Sequence, residues 1–216
     1  PFSGNANDSS GNGYNGTISG DPQLTTDRFG NSNSAYNFDG NGDWIYFGTD
    51  TLPANNGNSE TDAFTISVWA QSFENTTMDL FAYGGMVHCG GGKYGAIVRL
   101  ASSIQFNSCN RGFNTPTGGT NNDGQWHHYV VTWNGSNSRR IYIDGSLAAE
   151  NTQTNVFRIR NVGLVLGRSF MDWTLGNTLN ASADELRLWK TNLTADEVQT
   201  LYNIENTPPP ILNSSV

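Results

Sequence analysis

Two adjacent histidines are the residues of this chain that most directly invite acid–base or metal chemistry. His127 and His128 follow Trp126, and histidine is both the commonest acid–base group near neutral pH and the commonest transition-metal ligand. Neighbouring residues of a strand point to opposite faces, so these two side chains are not expected to hold one ion. The third histidine, His88, lies in a glycine-rich segment, where it either lines a ligand rim or is solvated.

Paired carboxylates would be needed for glycoside hydrolysis, with two carboxyl groups roughly 5 to 10 Å apart. Asp184 and Glu185 are adjacent, and in a strand they would face opposite ways. Glu60 and Asp62 come just before a predicted strand and not within it. Neither pair has a catalytic spacing, so we predict no catalytic residues and a protein that is not an enzyme.

The two cysteines, Cys89 and Cys109, are separated by strand-like stretches at 94–100 and 103–107. If these strands are neighbours, the two thiols can face each other and form a disulfide that stabilises the fold by roughly 3 kcal/mol. Two unpaired buried thiols are the alternative. We predict the disulfide, which indicates an oxidising compartment and therefore a secreted or cell-surface protein.

Composition limits the class of protein. The 216 residues are 14% charged and 12% aromatic, with a formal net charge of −8. A negative chain without a basic cluster is a poor partner for nucleic acid or for anionic lipid. No apolar run approaches the roughly 18 residues that a spanning helix needs, so we predict no insertion into a membrane. We expect one domain over 1–206, and a proline-rich linker to a further domain over 207–216.

Alternating apolar and polar residues predict a chain made almost entirely of strands. In the clearest strand, 64–70, Phe64, Ile66 and Val68 lie on one face and Trp69 on the other. Further strands are predicted at 35–38, 44–47, 80–83, 95–100, 103–106, 126–133, 140–143, 163–166 and 185–189. So many short strands favour two antiparallel sheets packed face to face.

Glycine-containing turns and one capping motif complete the pattern. The turn at 39–42 predicts a hairpin between the strands at 35–38 and 44–47, and Asn134-Gly135 and Asp144-Gly145 predict two more. The sequence from Thr194 to Glu197 is a capping box, and it predicts a helix from about 195 to 202 that lies against the sandwich.

Taken in order, several segments resemble the concanavalin A-like, laminin G-like domains that are common in secreted bacterial multidomain proteins. The matching segments are 1–13, 38–40, 44–45, 64–69, 126–132, 141–145, 183–189 and 194–197. The resemblance extends from about residue 1 to 204. It implies an all-β jelly-roll β-sandwich with one short C-terminal helix.

The resemblance also implies a structural calcium ion that ties the opening loop to the last strand. Calcium takes six to eight oxygen ligands from carboxylates, amides and main-chain carbonyls. Carried over to this sequence, the ligands are Asp8, Asn12, Gly13, Asn15 and Asp184. The alternative is that Asp8 only caps its turn and that Asp184 hydrogen-bonds a neighbouring strand.

The implied fold does not determine the function, because lectins, carbohydrate-binding modules, adhesion domains, hydrolases and lyases all share it. Retaining jelly-roll glycosidases carry Glu-x-Asp-x-x-Glu, and here Thr65 stands where the third acid belongs. We therefore predict a non-catalytic module that binds a polysaccharide or surface glycan, with a structural or protein-binding adhesion domain as the alternative and an atypical polysaccharide-degrading enzyme as a third. The predicted sugar-binding residues are Trp173, Tyr83, His88, Tyr94, Arg99, Arg111 and Phe113.

Overall fold

The computed structural model describes residues 2–49, 51, 62–84, 96–100, 103–107, 113–115, 122–152, 163–169 and 177–208, and at 96, 97, 99, 107, 113 and 114 the backbone alone. Within these ranges the chain forms fourteen strands and one helix. The strands are β1 Thr17–Ser19, β2 Gln23–Thr25, β3 Ala35–Asp39, β4 Trp44–Tyr46, β5 Phe64–Gln71, β6 Met78–Tyr83, β7 Ala96–Leu100, β8 Gln105–Asn107, β9 Phe113–Asn114, β10 Trp126–Trp133, β11 Arg139–Ile143, β12 Ser146–Asn151, β13 Leu164–Leu166 and β14 Asn180–Trp189. The helix is α1 Ala195–Glu205.

Two antiparallel sheets of seven strands pack face to face, which confirms the predicted sandwich. The A sheet has the strand order β1-β4-β13-β6-β7-β8-β9, and the B sheet has the order β12-β11-β10-β5-β14-β3-β2. In β5, Phe64, Ile66 and Val68 belong to the core between the sheets, as their period of two predicts. Trp69 points out of the opposite face of the B sheet and is nevertheless buried, because helix α1 covers that face.

The helix begins where the capping box predicts. Thr194 Oγ1 accepts a 3.3 Å hydrogen bond from the amide of Glu197, and the Thr194 amide donates at 2.7 Å to Glu197 Oε2. The helix ends at Glu205 and not at 202, because Glu205 has partners in the sheet beneath it. Val198 packs against Val130 and Tyr142 on the outer face of the B sheet.

Of the three predicted hairpins, the one at 39–42 is wrong. Strand β3 lies in the B sheet and β4 in the A sheet, so the chain crosses between the sheets at this turn. The Asp43 carboxylate holds the crossing by accepting from the amides of Asp21 at 2.7 Å and Asp39 at 3.3 Å. The two other hairpins are confirmed, since β10 pairs with β11 and β11 with β12. Within the described ranges, no helix is long and apolar enough to cross a membrane.

Candidate binding cavity

A cavity of about 550 Å³ lies between the opening loop of the chain and the second half of β14. Its lining combines aromatic rings, amides, hydroxyls, one carboxylate and two cations. The lining residues are Phe2, Asn7, Asp8, Ser9, Ser10, Asn12, Tyr14, Phe47, Thr51, Leu186, Arg187, Leu188, Trp189 and Lys190. Polar hydrogen-bonding groups beside apolar surface are characteristic of small-molecule and saccharide sites.

The loop wall of the cavity is shaped by its own polar side chains. The Asp8 carboxylate accepts from the amides of Ser10 at 2.8 Å and Tyr14 at 3.0 Å, and Asn15 Oδ1 accepts from the Asp8 amide at 2.9 Å. Slight burial alone would raise the pKa of Asp8, but the hydrogen bonds from Ser10, Tyr14 and Gly13 outweigh it and hold that pKa below its usual value. Asp8 is therefore an ionised acceptor at neutral pH.

Two residues of this loop, Gly16 and Phe2, lie against the sandwich. The Gly16 amide donates at 2.7 Å to the Ala6 carbonyl, and a Cβ atom at position 16 would lie only 2.6 Å from a side-chain carbon of Ile45. Only glycine permits that close approach. Further towards the N-terminus, the amide of Phe2 donates at 3.2 Å to Oδ1 of Asp184.

The opposite wall comes from an irregular part of β14. The register with β5 shifts between Asp184 and Arg187, and Glu185 has a positive φ of 53°. The Arg187 guanidinium contacts carboxylate oxygens of Glu185 at 2.7 Å and Glu205 at 2.6 Å. Trp189 ends the strand, and Lys190 follows it on the surface. No carboxylate of the described part of the chain pairs with Lys190.

Behind this wall, a buried charged cluster fastens helix α1 to the B sheet. The Arg28 side chain is only 6% exposed, and its Nη1 lies 3.3 Å from Oδ2 of Asp184. Its Nε donates at 3.1 Å to the main-chain carbonyl of Glu205. The guanidinium carbon stands 4.5 Å from the ring centroids of both Phe29 and Trp69. One arginine thus joins strand β14, the helix C-terminus and the outer face of β5.

His128 is enclosed in the same cluster. Its ring stacks on Trp69 at 5.0 Å and on Tyr202 at 6.1 Å between centroids, and its Nε2 lies 3.5 Å from Glu205 Oε2. Burial lowers the pKa of His128 to about 3, so the ring is neutral near pH 7. Burial likewise raises the pKa of Glu205, although the hydrogen bond from Trp69 and the charge of Arg187 oppose the shift.

His127 lies apart from this cluster, at the start of β10. Its Nδ1 is 2.8 Å from Asp144 Oδ2 and its Nε2 is 3.2 Å from Asp123 Oδ1. The hydrogen bond to Asp144 raises the pKa of His127, against the effect of partial burial. The two adjacent histidines therefore have separate partners, as their positions in a strand predict.

The residues predicted to bind calcium are divided between two environments. Asp8, Asn12, Gly13 and Asn15 share one turn, where Asn12 donates to Ser10 Oγ at 2.8 Å. The Oδ1 atom of Asp184 accepts a hydrogen bond from the Phe2 amide, and its Oδ2 atom accepts one from the Arg28 guanidinium. Among the residues described, no group of three or more His, Cys, Asp or Glu side chains is placed to hold a metal ion. Calcium binding stays a prediction.

The sugar-binding prediction is wrong for Tyr83. This residue is fully buried in the core and packs edge-on against Phe64 at 6.5 Å, so no sugar ring can reach it. Strand β7 places Arg99 in register with Asp79 and Gln105, and β9 places Phe113 opposite Phe106. Outside the described ranges lie His88, Tyr94, Arg111 and Trp173, together with Cys89 and Cys109 of the predicted disulfide.

Sequence reasoning missed Tyr14, Trp189 and Lys190 as lining residues of the cavity, and it missed Arg28. The sequence contains only a weak signal that these residues line a cavity. Trp189 ends a strand whose pattern is typical of core residues, and Tyr14 lies in a loop whose oxygen atoms favoured a metal. That these two aromatics line one cavity depends on contacts between the two ends of the chain.

Comparison with known proteins gives a family and a fold. The family model described as concanavalin A-like lectin/glucanases superfamily matches residues 39–199. No curated protein matches the chain in sequence. Among solved structures, domain 4 of AbnA, a GH43 extracellular arabinanase from Geobacillus stearothermophilus, in complex with arabinotriose, is 20% identical with a TM-score of 0.63, over 92% of this chain and 93% of that one.

Two toxin domains are similar in fold as well. The binding domain of Paraclostridial Mosquitocidal Protein 1 has a TM-score of 0.70 at 17% identity and covers 94% of this chain and 50% of that one. The botulinum neurotoxin serotype D ligand binding domain, in complex with N-acetylneuraminic acid, has a TM-score of 0.64 at 12% identity, over 92% and 48%. The chain thus spans about half the length of these toxin domains.

Proposed function

Because this chain belongs to the concanavalin A-like lectin/glucanases superfamily, we propose that it is a non-catalytic carbohydrate-binding module and that the cavity between the opening loop and β14 is its glycan site. One observation carries the proposal. Tyr14 and Trp189 line a single cavity of about 550 Å³ together with amide, hydroxyl, carboxylate and ammonium groups. Aromatic side chains bring large apolar area with a polar edge, which suits sugar rings that have one apolar face and many hydroxyls.

The charges of the cavity favour binding over hydrolysis. Asp8 is the one carboxylate among the lining residues that the structure describes. Glycoside hydrolysis requires two carboxyl groups, one of them protonated at working pH, whereas hydrogen bonds lower the pKa of Asp8. Such a group suits the acceptance of hydrogen bonds from sugar hydroxyls.

Similar structures give the proposal context. Two similar domains have been solved in complex with sugars, arabinotriose in one and N-acetylneuraminic acid in the other. We extend to this chain only the class of ligand, a glycan. The predicted disulfide between Cys89 and Cys109 and a secreted or cell-surface location are parts of the same proposal.

Binding to immobilised plant, algal and microbial polysaccharides tests the proposal. We expect saturable binding to one glycan class, and an affinity about tenfold lower for Trp189→Ala, equivalent to about 1.4 kcal/mol. Phe73→Ala is the matched control, because Phe73 is 76% exposed and does not line the cavity. No binding across the panel would favour the structural or protein-binding adhesion domain. Binding that Trp189→Ala leaves unchanged would place the site elsewhere.

A further inference from the structure

A second surface with binding chemistry lies on the outer face of the A sheet. Trp44 and Tyr46 are two residues apart on β4, so their side chains leave the same face of the sheet. Ile45, between them, points the other way into the core and has no exposed area. Both aromatic side chains are half-buried, and their ring centroids are 6.4 Å apart at an interplanar angle of 68°.

Hydroxyl side chains border this aromatic pair. Strand β1 is the edge strand of the A sheet, and it places Thr17 opposite Tyr46 and Ser19 opposite Trp44. Residues opposite each other in an antiparallel pair have side chains on the same face. The two aromatic rings and the two hydroxyls therefore share one stretch of surface beside the open edge of the sheet.

Arg168 adds a cation to this surface. Its guanidinium carbon stands 5.5 Å from the ring centroid of Trp44, and its Nε donates one long hydrogen bond, of 3.5 Å, to the Ser169 carbonyl. Other arginines are engaged with carboxylates: Arg28 with Asp184, Arg140 with Glu150 and Arg187 with Glu185. In the described part of the chain, no carboxylate pairs with Arg168.

A guanidinium with no carboxylate partner among the described residues is unusual in a chain with 19 acidic and 11 basic residues. A planar guanidinium matches a carboxylate with two parallel hydrogen bonds, and it retains that capacity while stacked on an aromatic ring. Trp44 holds Arg168 against the sheet, so little side-chain freedom remains to be lost when an anion binds.

We propose that Trp44, Tyr46 and Arg168 form a second binding surface, which recognises a carboxylated sugar unit of an acidic polysaccharide. Arg168 binds the carboxylate, the aromatic pair contacts the carbon–hydrogen face of the sugar ring, and Ser19 and Thr17 are placed to bind its hydroxyls. None of these residues lines the cavity of the proposed function. The two surfaces therefore bind independently.

The test compares carboxylated polysaccharides with their own reduced forms. Polygalacturonate, alginate and hyaluronan are each paired with a counterpart in which the carboxyl groups are converted to primary alcohols. We expect the wild-type protein to prefer at least one carboxylated polymer by about tenfold, the effect of one charge-assisted bidentate contact. Arg168→Gln should abolish this preference. Arg168→Lys, which keeps the charge and loses the bidentate geometry, should retain only part of it.

Two control variants separate this surface from other effects. Arg140→Gln makes the same change in net charge on the B sheet, where Arg140 already pairs with Glu150 at 2.8 Å, and it should keep the preference. Trp189→Ala should also keep it, even if that variant loses the cavity ligand. Failure of the cavity site is thereby distinguished from failure of this surface.

Three results would overturn the proposal. The first is the absence of a preference for any carboxylated polymer over its reduced form. The second is a preference that persists in an Arg168→Gln protein with an unchanged melting temperature. The third is equal, Arg168-dependent binding of poly-glutamate, which would indicate an acidic peptide surface as the partner and not a sugar.

Discussion

Trp69 Nε1 donates a 2.7 Å hydrogen bond to Oε2 of Glu205, and so joins the middle of strand β5 to the last residue of helix α1, 136 positions further along the chain. Both side chains are buried. Through this bond and the Arg28 contacts, the helix closes the outer face of the B sheet.

The first prediction concerns the Glu205 carboxylate. Glu205→Ala leaves the Trp69 indole N–H without its acceptor and Arg187 without one of its two carboxylates. Breaking a buried ion pair costs about 3 to 5 kcal/mol, and since the Arg187 side chain is 41% exposed we expect about 2 to 3 kcal/mol here. Urea denaturation measures the loss as a lower midpoint.

Glu150→Ala is the matched control. Glu150 pairs with Arg140 at 2.8 Å, but both side chains are about one-third exposed. Surface pairs of this kind contribute about 0 to 1 kcal/mol. Equal midpoints for the two variants would mean that the cluster beneath α1 does not hold the helix.

The second prediction is a pH dependence that comes from His128. Burial lowers its folded-state pKa to about 3, helped by the charges of Arg28 and Arg187, against 6.5 in the unfolded chain. Between these values the unfolded state binds a proton that the folded state does not. The contribution of neutral His128 to the free energy of unfolding is complete above pH 6.5. It decreases by about 1.4 kcal/mol per pH unit as the pH falls towards 3.

The titration of Asp184 changes the stability with pH in the opposite direction. Burial, together with the charge of Glu185, raises its pKa to about 6 from 3.8, so its protonation favours the folded state as the pH falls through that interval. The free energy of unfolding of the wild-type protein therefore changes little between about pH 6 and about pH 4, because the two titrations oppose each other. His128→Phe keeps the ring stack and removes the titration, so its stability relative to wild type should rise as the pH falls. Thermal unfolding at about pH 7 and about pH 5 measures this difference, and a constant difference would refute the assignment.

The third prediction is the titration of His127. Its hydrogen bond to Asp144 raises its pKa above 6.5, so the stability that this contact contributes is complete below pH 6.5 and is lost as the pH rises through the folded-state pKa. Asp144→Asn should lower the His127 pKa in an NMR titration. Asn also tolerates the positive φ of 50° at this position. Asp123→Asn should have a smaller effect, because Asp123 lies further from the ring, at 3.2 Å.

Local patterns were sufficient to predict most of the fold. The alternation at 64–70 identified both faces of β5, and the capping box identified the first residue of α1. Each of these depends on residues within a few positions of one another. The turn at 39–42 was misread because a glycine-rich turn has the same local pattern whether it joins strands of one sheet or of two. The distinction depends on Asp43 and on its bond to distant Asp21.

Little of the candidate site could be predicted, because it is assembled from the ends of the chain. Tyr14 and Trp189 line one cavity, and no periodicity links positions so far apart. Tyr83 shows the reverse error. Its place in the cysteine-bearing region predicts that it lines a concave sugar-binding face, whereas it pairs with Leu164 and is buried in the core. Which of two faces is solvated depends on the pairing of strands.

The last prediction concerns the cation that neutralises Asp184. The resemblance to laminin G-like domains predicts calcium, but the Arg28 guanidinium already lies 3.3 Å from Oδ2 of Asp184 and is 6% exposed. A calcium ion at this carboxylate would face that positive charge. Arg28→Met should therefore destabilise the fold by about 3 kcal/mol, the cost of leaving a buried carboxylate unpaired. With Asp184→Asn added, the loss should be smaller than the sum of the two single losses. The predicted calcium site is tested by the wild-type melting temperature in calcium and in chelator. A higher melting temperature in calcium that disappears in Asp184→Asn would establish Asp184 as a calcium ligand, whereas equal values would leave Arg28 as the cation at this carboxylate.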